Sequence, residues 1–241
     1  MNRSYLLGGL TTTLGFFIFS GALLAQDPVK VAPSNYKMIF ENDSVRVCEV
    51  KCKPGEKIAT HSHPDHVVYS VTDNKVKFTY PDGKTKEVNM KPGTASWIKA
   101  ETHAGENVGS ADLKVIVFEL KKSAPTGTTP AKTPEAEDPT KVAADSTKVL
   151  LDNERVRLLE VRTKAGGKVP KHTHPASLVY ALTDGKFKIT TYPEGKTEEK
   201  TLTAGQVVWN EPTTHAAESL GTSDTDNLVL ELKDHPKSAG K

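Results

Sequence analysis

The same stretch of chain occurs twice. The segment 42–64, "NDSVRVCEVKCKPGEKIATHSHP", aligns without a gap with 153–175, "NERVRLLEVRTKAGGKVPKHTHP", at an offset of 111 residues. A second block, 80–107, aligns with 192–219 at an offset of 112 residues. Self-similarity at a fixed period means one structural unit built in duplicate, so any fold and any site must be explicable in one copy and repeated in the other. The copies span 36–121 and 146–234. The one-residue change of offset falls inside a strand-like stretch, where an extra residue is the signature of a β-bulge. A bulge is therefore expected near Thr190–Thr191.

Each copy reads as all-β. "VRVCEV", "HVVYSV", "KVKFTY", "KTKEVNM", "TASWI" and "LKVIVFEL" are short, mostly alternating and rich in β-branched residues. "PGE", "DNK", "PDG" and "KPG" punctuate them as turns, and "PDG" between "KFTY" and "KTKEV" is a hairpin signal. Short strands at this spacing predict a sandwich or small barrel in each copy. The segment 122–145 is rich in Pro, Thr, Ala and Lys and nearly empty of large apolar residues. It lacks the apolar surface to offset its ordering entropy and is expected to be an extended, mobile linker.

The first 25 residues form a separate unit. Arg3 precedes an apolar run broken by small residues, with Ala25 at its end. This is the pattern of a secretory signal peptide cleaved after Ala25, which predicts a periplasmic or secreted protein free of the membrane once cleaved. An uncleaved anchor is the rival reading, since Tyr5 to Ala25 has about the 20 residues that a membrane span requires. A net charge of +2 over 241 residues, with no basic run, supplies no electrostatic case for binding nucleic acid.

Export invites a disulfide between Cys48 and Cys52, the two cysteines of the chain. Geometry opposes it. Four residues of strand separate the Cα atoms by about 13 Å, whereas a disulfide needs roughly 4.4–6.8 Å. Two free thiols on one strand face are expected.

Five of the eight histidines crowd into two short stretches, "THSHPDHVVY" and "KHTHPASLVY". Residues two apart on a strand share a face, so His61 projects with His63, and His172 with His174. His103 and His215 follow, each six residues after a tryptophan. Three imidazoles from two strands make a facial set of nitrogen donors with positions left open.

With Gly55 six residues before His61, Gly166 six before His172, and Gly93, His103 and Asn107 matched by Gly205, Pro212 and His215, the sequence resembles a cupin, specifically a bicupin. The resemblance covers both repeats. It implies two tandem double-stranded β-helix (jelly-roll) barrels, each with a metal pocket, joined by the linker.

Departures from the family pattern are informative. The glutamate ligand of the first cupin motif is missing from both copies. If the loop after His63 is one residue short, His66 falls at the glutamate position and Ser177 is its counterpart. His66 is then a candidate fourth ligand of the first barrel; a solvent-facing loop histidine is the alternative. The expected metal ligands are thus His61, His63, His66 and His103 in one barrel and His172, His174 and His215 in the other. Nitrogen ligation without carboxylate disfavours Mg and Ca and leaves a divalent transition metal, Fe, Mn, Ni, Co, Cu or Zn.

The resemblance implies either a metal-dependent enzyme, of the three-His dioxygenase or isomerase type acting on a small oxygen-rich substrate, or a non-catalytic module that binds a small molecule or a metal. It leaves open a homodimer or an intramolecular pseudo-dimer of the barrels. Of the remaining matched pairs, Tyr69 and Tyr180 are read as wall packing, and Trp97 and Trp209 as core anchors. Glu106 and Glu218 are candidates to orient a histidine from behind or to lie on a solvated turn.

Overall fold

The computed structural model describes residues 26–121 and 137–233, and these form two nine-stranded β-barrels. The leader 1–25 and most of the expected linker, 122–136, lie outside the described residues.

In the first barrel the strands are β1 (Tyr36–Glu41), β2 (Val45–Cys52), β3 (Lys57–His63), β4 (His66–Ser70), β5 (Asn74–Thr79), β6 (Thr85–Met90), β7 (Ala95–Ile98), β8 (Glu101–Asn107) and β9 (Leu113–Leu120). They make two antiparallel sheets, ordered β1-β2-β9-β4-β7 and β3-β8-β5-β6. The second barrel repeats this in β10 (Thr147–Asp152), β11 (Val156–Thr163), β12 (Lys168–His174), β13 (Ser177–Ala181), β14 (Gly185–Tyr192), β15 (Lys196–Leu202), β16 (Val207–Asn210), β17 (Thr213–Ser219) and β18 (Thr225–Leu232). Its sheets are ordered β10-β11-β18-β13-β16 and β12-β17-β14-β15.

The alternation along the central strands divides the side chains between two cores. On β9, Val115 and Val117 face the first barrel's interior, while Ile116, Phe118 and Leu120 face the other barrel. Leu228, Leu230 and Leu232 of β18 do the same from the opposite side and join the cluster of Phe118. The outer faces of the two five-stranded sheets therefore pack against each other as an intramolecular pseudo-dimer. Each leucine or phenylalanine fully buried there contributes about 1.5–3 kcal/mol relative to exposure. Polar contacts cross this junction: Tyr180 Oη donates to Glu49 Oε1 at 2.8 Å, and Arg155 Nη1 lies 3.1 Å from Asp65 Oδ2. Tyr69 and Tyr180 are thus wall residues of the inter-barrel core rather than ligand contacts, and Trp97 and Trp209 pack at its margin.

The "PDG" hairpin forms as expected, with Tyr80 N–H donating to the Lys84 carbonyl and Gly83 at φ 80°, a backbone conformation that glycine tolerates and other residues avoid. The bulge expected near Thr190–Thr191 does not. Pairing of β14 with β15 runs without interruption from Gly185 to Thr191. The extra residue lengthens the strand at its hairpin end, where the loop to Lys196 carries it. Bulges occur elsewhere, between Met38 and Phe40, Val149 and Leu151, Ile58 and His61, and Val169 and His172.

Residues 137–145, expected to belong to the linker, are part of the second barrel's scaffold. Asp138 caps a helical turn, α2 (Pro139–Val142), which packs on β12 and β10. Its twin is α1 (Pro28–Val31), capped by Asp27 and packed on β3 and β1. The repeat therefore begins upstream of the strands, at "DPVKVA" and "DPTKVA". Proline at the first helical position loses no hydrogen bond, and the aspartate satisfies a free N–H, so four residues suffice for a docked turn.

Candidate metal centres

The bulge in β3 aims the first histidine. Ile58 and His61 are three residues apart and would face opposite sides of a regular strand. The register shift between them brings both into the barrel interior, and Val169 and His172 repeat the device. His61 pairs directly with His103 across β3 and β8, and His172 with His215 across β12 and β17. Among the described residues, two sets could hold a metal ion: His61, His63 and His103, and His172, His174 and His215. Within each set the donor nitrogens all lie within 4.8 Å of one another.

The rings are oriented from behind. In the first barrel Nδ1 of His61 donates to the Ala59 carbonyl at 2.7 Å, Nδ1 of His63 to Glu119 Oε1 at 2.6 Å, and Nδ1 of His103 to Glu101 Oε1 at 2.8 Å. Carbonyl and carboxylate oxygens only accept, so each Nδ1 carries a proton and Nε2 is the ring atom left for the trio. In the second barrel His172 donates to the Pro170 carbonyl at 2.6 Å and His174 to Glu231 Oε1 at 2.6 Å. Neutral imidazoles with a free Nε2 are what a divalent transition metal requires, so the donor sets fit such an ion. Burial, reinforced by neighbouring imidazoles, pushes His103 and His215 down to about 3 and His66 and His172 down to about 4, which keeps them neutral at ordinary pH.

Glu119 and Glu231 anchor a chain of charges that runs from the buried carboxylate to a half-buried aspartate and recurs in both copies. Glu119 Oε2 accepts from Arg46 Nε at 2.5 Å, and Arg46 Nη1 lies 3.0 Å from both carboxylate oxygens of Asp27. Glu231, Arg157 and Asp138 repeat it, at 2.5 and 2.7 Å. Burial opposes ionisation of Glu119 and Glu231, but hydrogen bonds from the histidine and the arginine outweigh it and hold both below the usual carboxylate range. Sequence reasoning offered Glu106 and Glu218 for this task. These instead face outward opposite Lys57 and Lys168. A signal for the correct pair existed: Val115, Val117 and Glu119 share the inward parity of β9, and a charge on that face of a buried strand needs a partner.

His66 is buried on β4 with its ring 4.8 Å from that of His63, and its Nδ1 donates to the Pro64 carbonyl at 2.8 Å. It faces the same cavity as the trio but stands outside the set whose donors cluster within 4.8 Å. The register puts Ser177 at its position: His66 lies opposite Glu119 and Ser177 opposite Glu231. Cys48 and Cys52 are free and buried among the residues of the first interior. Burial pushes their thiols up to about 12 and 11, which keeps them protonated.

Sequence reasoning also missed Tyr36. Its hydroxyl lies 3.0 Å from Nε2 of His61 and 3.4 Å from Nε2 of His63. Burial, then the Glu119 carboxylate, raises its pKa well above the usual phenol range, so it donates to the free Nε2 of His61. Thr147 holds the equivalent register position on β10, and its hydroxyl is buried without a hydrogen-bond partner.

Two tandem barrels of this topology, each with an HxH pair facing a third histidine, define a bicupin fold. Comparison with solved structures agrees. AerE from Microcystis aeruginosa superposes with a TM-score of 0.59 at 15% identity, covering 86% of this chain and 97% of that one. A variant of Bacillus subtilis oxalate decarboxylase superposes with a TM-score of 0.59 at 14% identity, covering 83% and 73%. Another structure of that decarboxylase, described by its Mn(II) centres, gives 0.57 at 15% identity, covering 88% and 75%. No protein-family model matches the sequence, and comparison with curated proteins gave no match.

Proposed function

We propose that this chain is an exported bicupin that binds a divalent transition metal through its clustered histidines and uses it in three-His oxygenase-type chemistry on a small, oxygen-rich molecule. The observation that carries the reading is the recurrence, in both barrels, of three converging imidazoles, one of them held from behind by a Glu–Arg–Asp chain. A carboxylate that fixes one ring of a histidine trio from behind is the usual arrangement around a metal-binding histidine.

His61, His63 and His103 would hold the first ion, with His66 as a further donor, and His172, His174 and His215 the second. The bound metal supplies a Lewis acid with open positions for substrate oxygens. The chain's own residues supply the rest. Glu119 and Glu231 fix the tautomer of one histidine in each trio. Apolar side chains, Val161, Val179, Ile189 and Val229 in the second barrel, wall the cavity beside the centre.

The Mn(II) centres of the decarboxylase support a metal here, and the absence of a carboxylate from both trios favours three-His chemistry. The leader supports export, and cleavage after Ala25 would spare the first residues used by the fold, the Gln26 carbonyl that accepts from Ser62 N–H and the capping Asp27.

Elemental analysis of the mature protein, with oxygen-uptake screening against catechols, diketones and thiols, tests the reading. Metal at both centres and uptake with one such class supports it. Failure to bind any divalent transition ion rejects it.

A further inference from the structure

The two interiors differ at many matched positions, and at three of them the first barrel sets a ring against a histidine. Tyr36, His66 and Phe78 line the first, and the residues in register with them are Thr147, Ser177 and Ile189. Each of these three changes is from large to small, whereas Val76 to Phe187 and Gly105 to Ala217 run the other way. The cavity beside the histidines is about 60 Å³ in the first barrel and about 170 Å³ in the second.

Tyr36 is the decisive difference. Two donors that share a metal at about 2.1 Å stand about 3.0 Å apart at right angles and about 3.4 Å apart at tetrahedral angles. The Tyr36 hydroxyl is 3.0 and 3.4 Å from two nitrogens of the trio, so it stands at ligand spacing from both. Its counterpart in register, Thr147, makes no such contact, since its hydroxyl has no hydrogen-bond partner. The ring is buried and packed edge-on to His61, with centroids 5.2 Å apart, which holds the hydroxyl in place.

We infer that the two centres are unequal: Tyr36 fills the ligand position of the first, and exogenous small molecules reach the metal only in the second. This rests on the metal reading above. The first barrel is then a closed centre and the second the one that accepts substrate. The substrate's metal-binding group lies against His172, His174 and His215, and its body among Val179, Ile189 and Val229.

The test uses Co(II) as the metal and azide as the probe, read by visible absorption. His172→Ala with His174→Ala isolates the first centre, and His61→Ala with His63→Ala isolates the second. Azide is expected to shift the spectrum of the second centre and leave the first unchanged. Tyr36→Thr or Tyr36→Phe should raise azide affinity at the first centre by about tenfold or more, and Thr147→Tyr should lower it at the second by a similar factor. Tyr36→Phe retains the ring and decides the matter if Tyr36→Thr does not fold. Equal azide affinity at both centres, or no response of the first centre to loss of the hydroxyl, overturns the inference and leaves the metal reading standing. Absence of Co(II) from both centres overturns both.

Discussion

Glu119 Oε1 lies 2.6 Å from Nδ1 of His63, and Glu231 Oε1 lies the same distance from Nδ1 of His174. The carboxylate is inside the barrel, yet it approaches the ring from the side away from the trio. It acts as an orienting group rather than a donor, and Arg46 or Arg157 compensates its buried charge. Glu119→Gln keeps the shape and removes the charge. Metal affinity of the first centre should fall about 10–100-fold, the range found when a partner behind a ligating histidine is lost. Titration with Co(II) in the chain lacking His172 and His174 measures it, and unchanged affinity would show that the carboxylate is only structural.

His66 and Ser177 occupy one register position in two barrels. If His66 contributes to the first ion, His66→Ala should weaken that centre by about tenfold or more, while Ser177→Ala leaves the second centre within twofold or so. Comparable effects of the two changes would reduce His66 to a wall residue.

Asp65 ties the barrels together through Arg155, and it also accepts from Ala100 N–H and Lys99. Burial would raise its pKa, but these contacts outweigh it and the net shift is downward. A depressed carboxylate stabilises the fold above its unfolded pKa, and the contribution is lost as pH falls through the folded value. Asp65→Asn should therefore lower stability near neutrality by roughly 1 kcal/mol, since the group is partly solvated and screened. The difference should shrink below pH about 4 and vanish at lower pH. Urea denaturation of both proteins across that range gives the curve, and a pH-independent difference would assign the loss to packing.

The proposal of export makes a direct prediction at the N-terminus. Protein recovered from outside the cytoplasm should begin at Gln26 by mass spectrometry, because the small residue at Ala25 closes the leader. An intact Met1 start on membrane-bound protein would establish the anchor reading instead.

What sequence alone determined was whatever follows from local periodicity and repetition. Duplication, alternation and turn chemistry specified two β-barrels. The HxH spacing placed His61 with His63 and His172 with His174, because period-two geometry is a property of the strand itself. The start of each copy was legible too, in "DPVKVA" and "DPTKVA", but proline-rich composition masked a docked helical turn in the second.

Tertiary structure decided what depends on contacts between distant residues. Tyr36 reaches His61 from another sheet, Glu119 meets His63 across 56 positions, and the outer faces of β9 and β18 find each other across the pseudo-dimer. Pattern along a strand tells which face a side chain takes. It does not tell which atoms stand opposite, and that pairing sets the two interiors apart at their histidines.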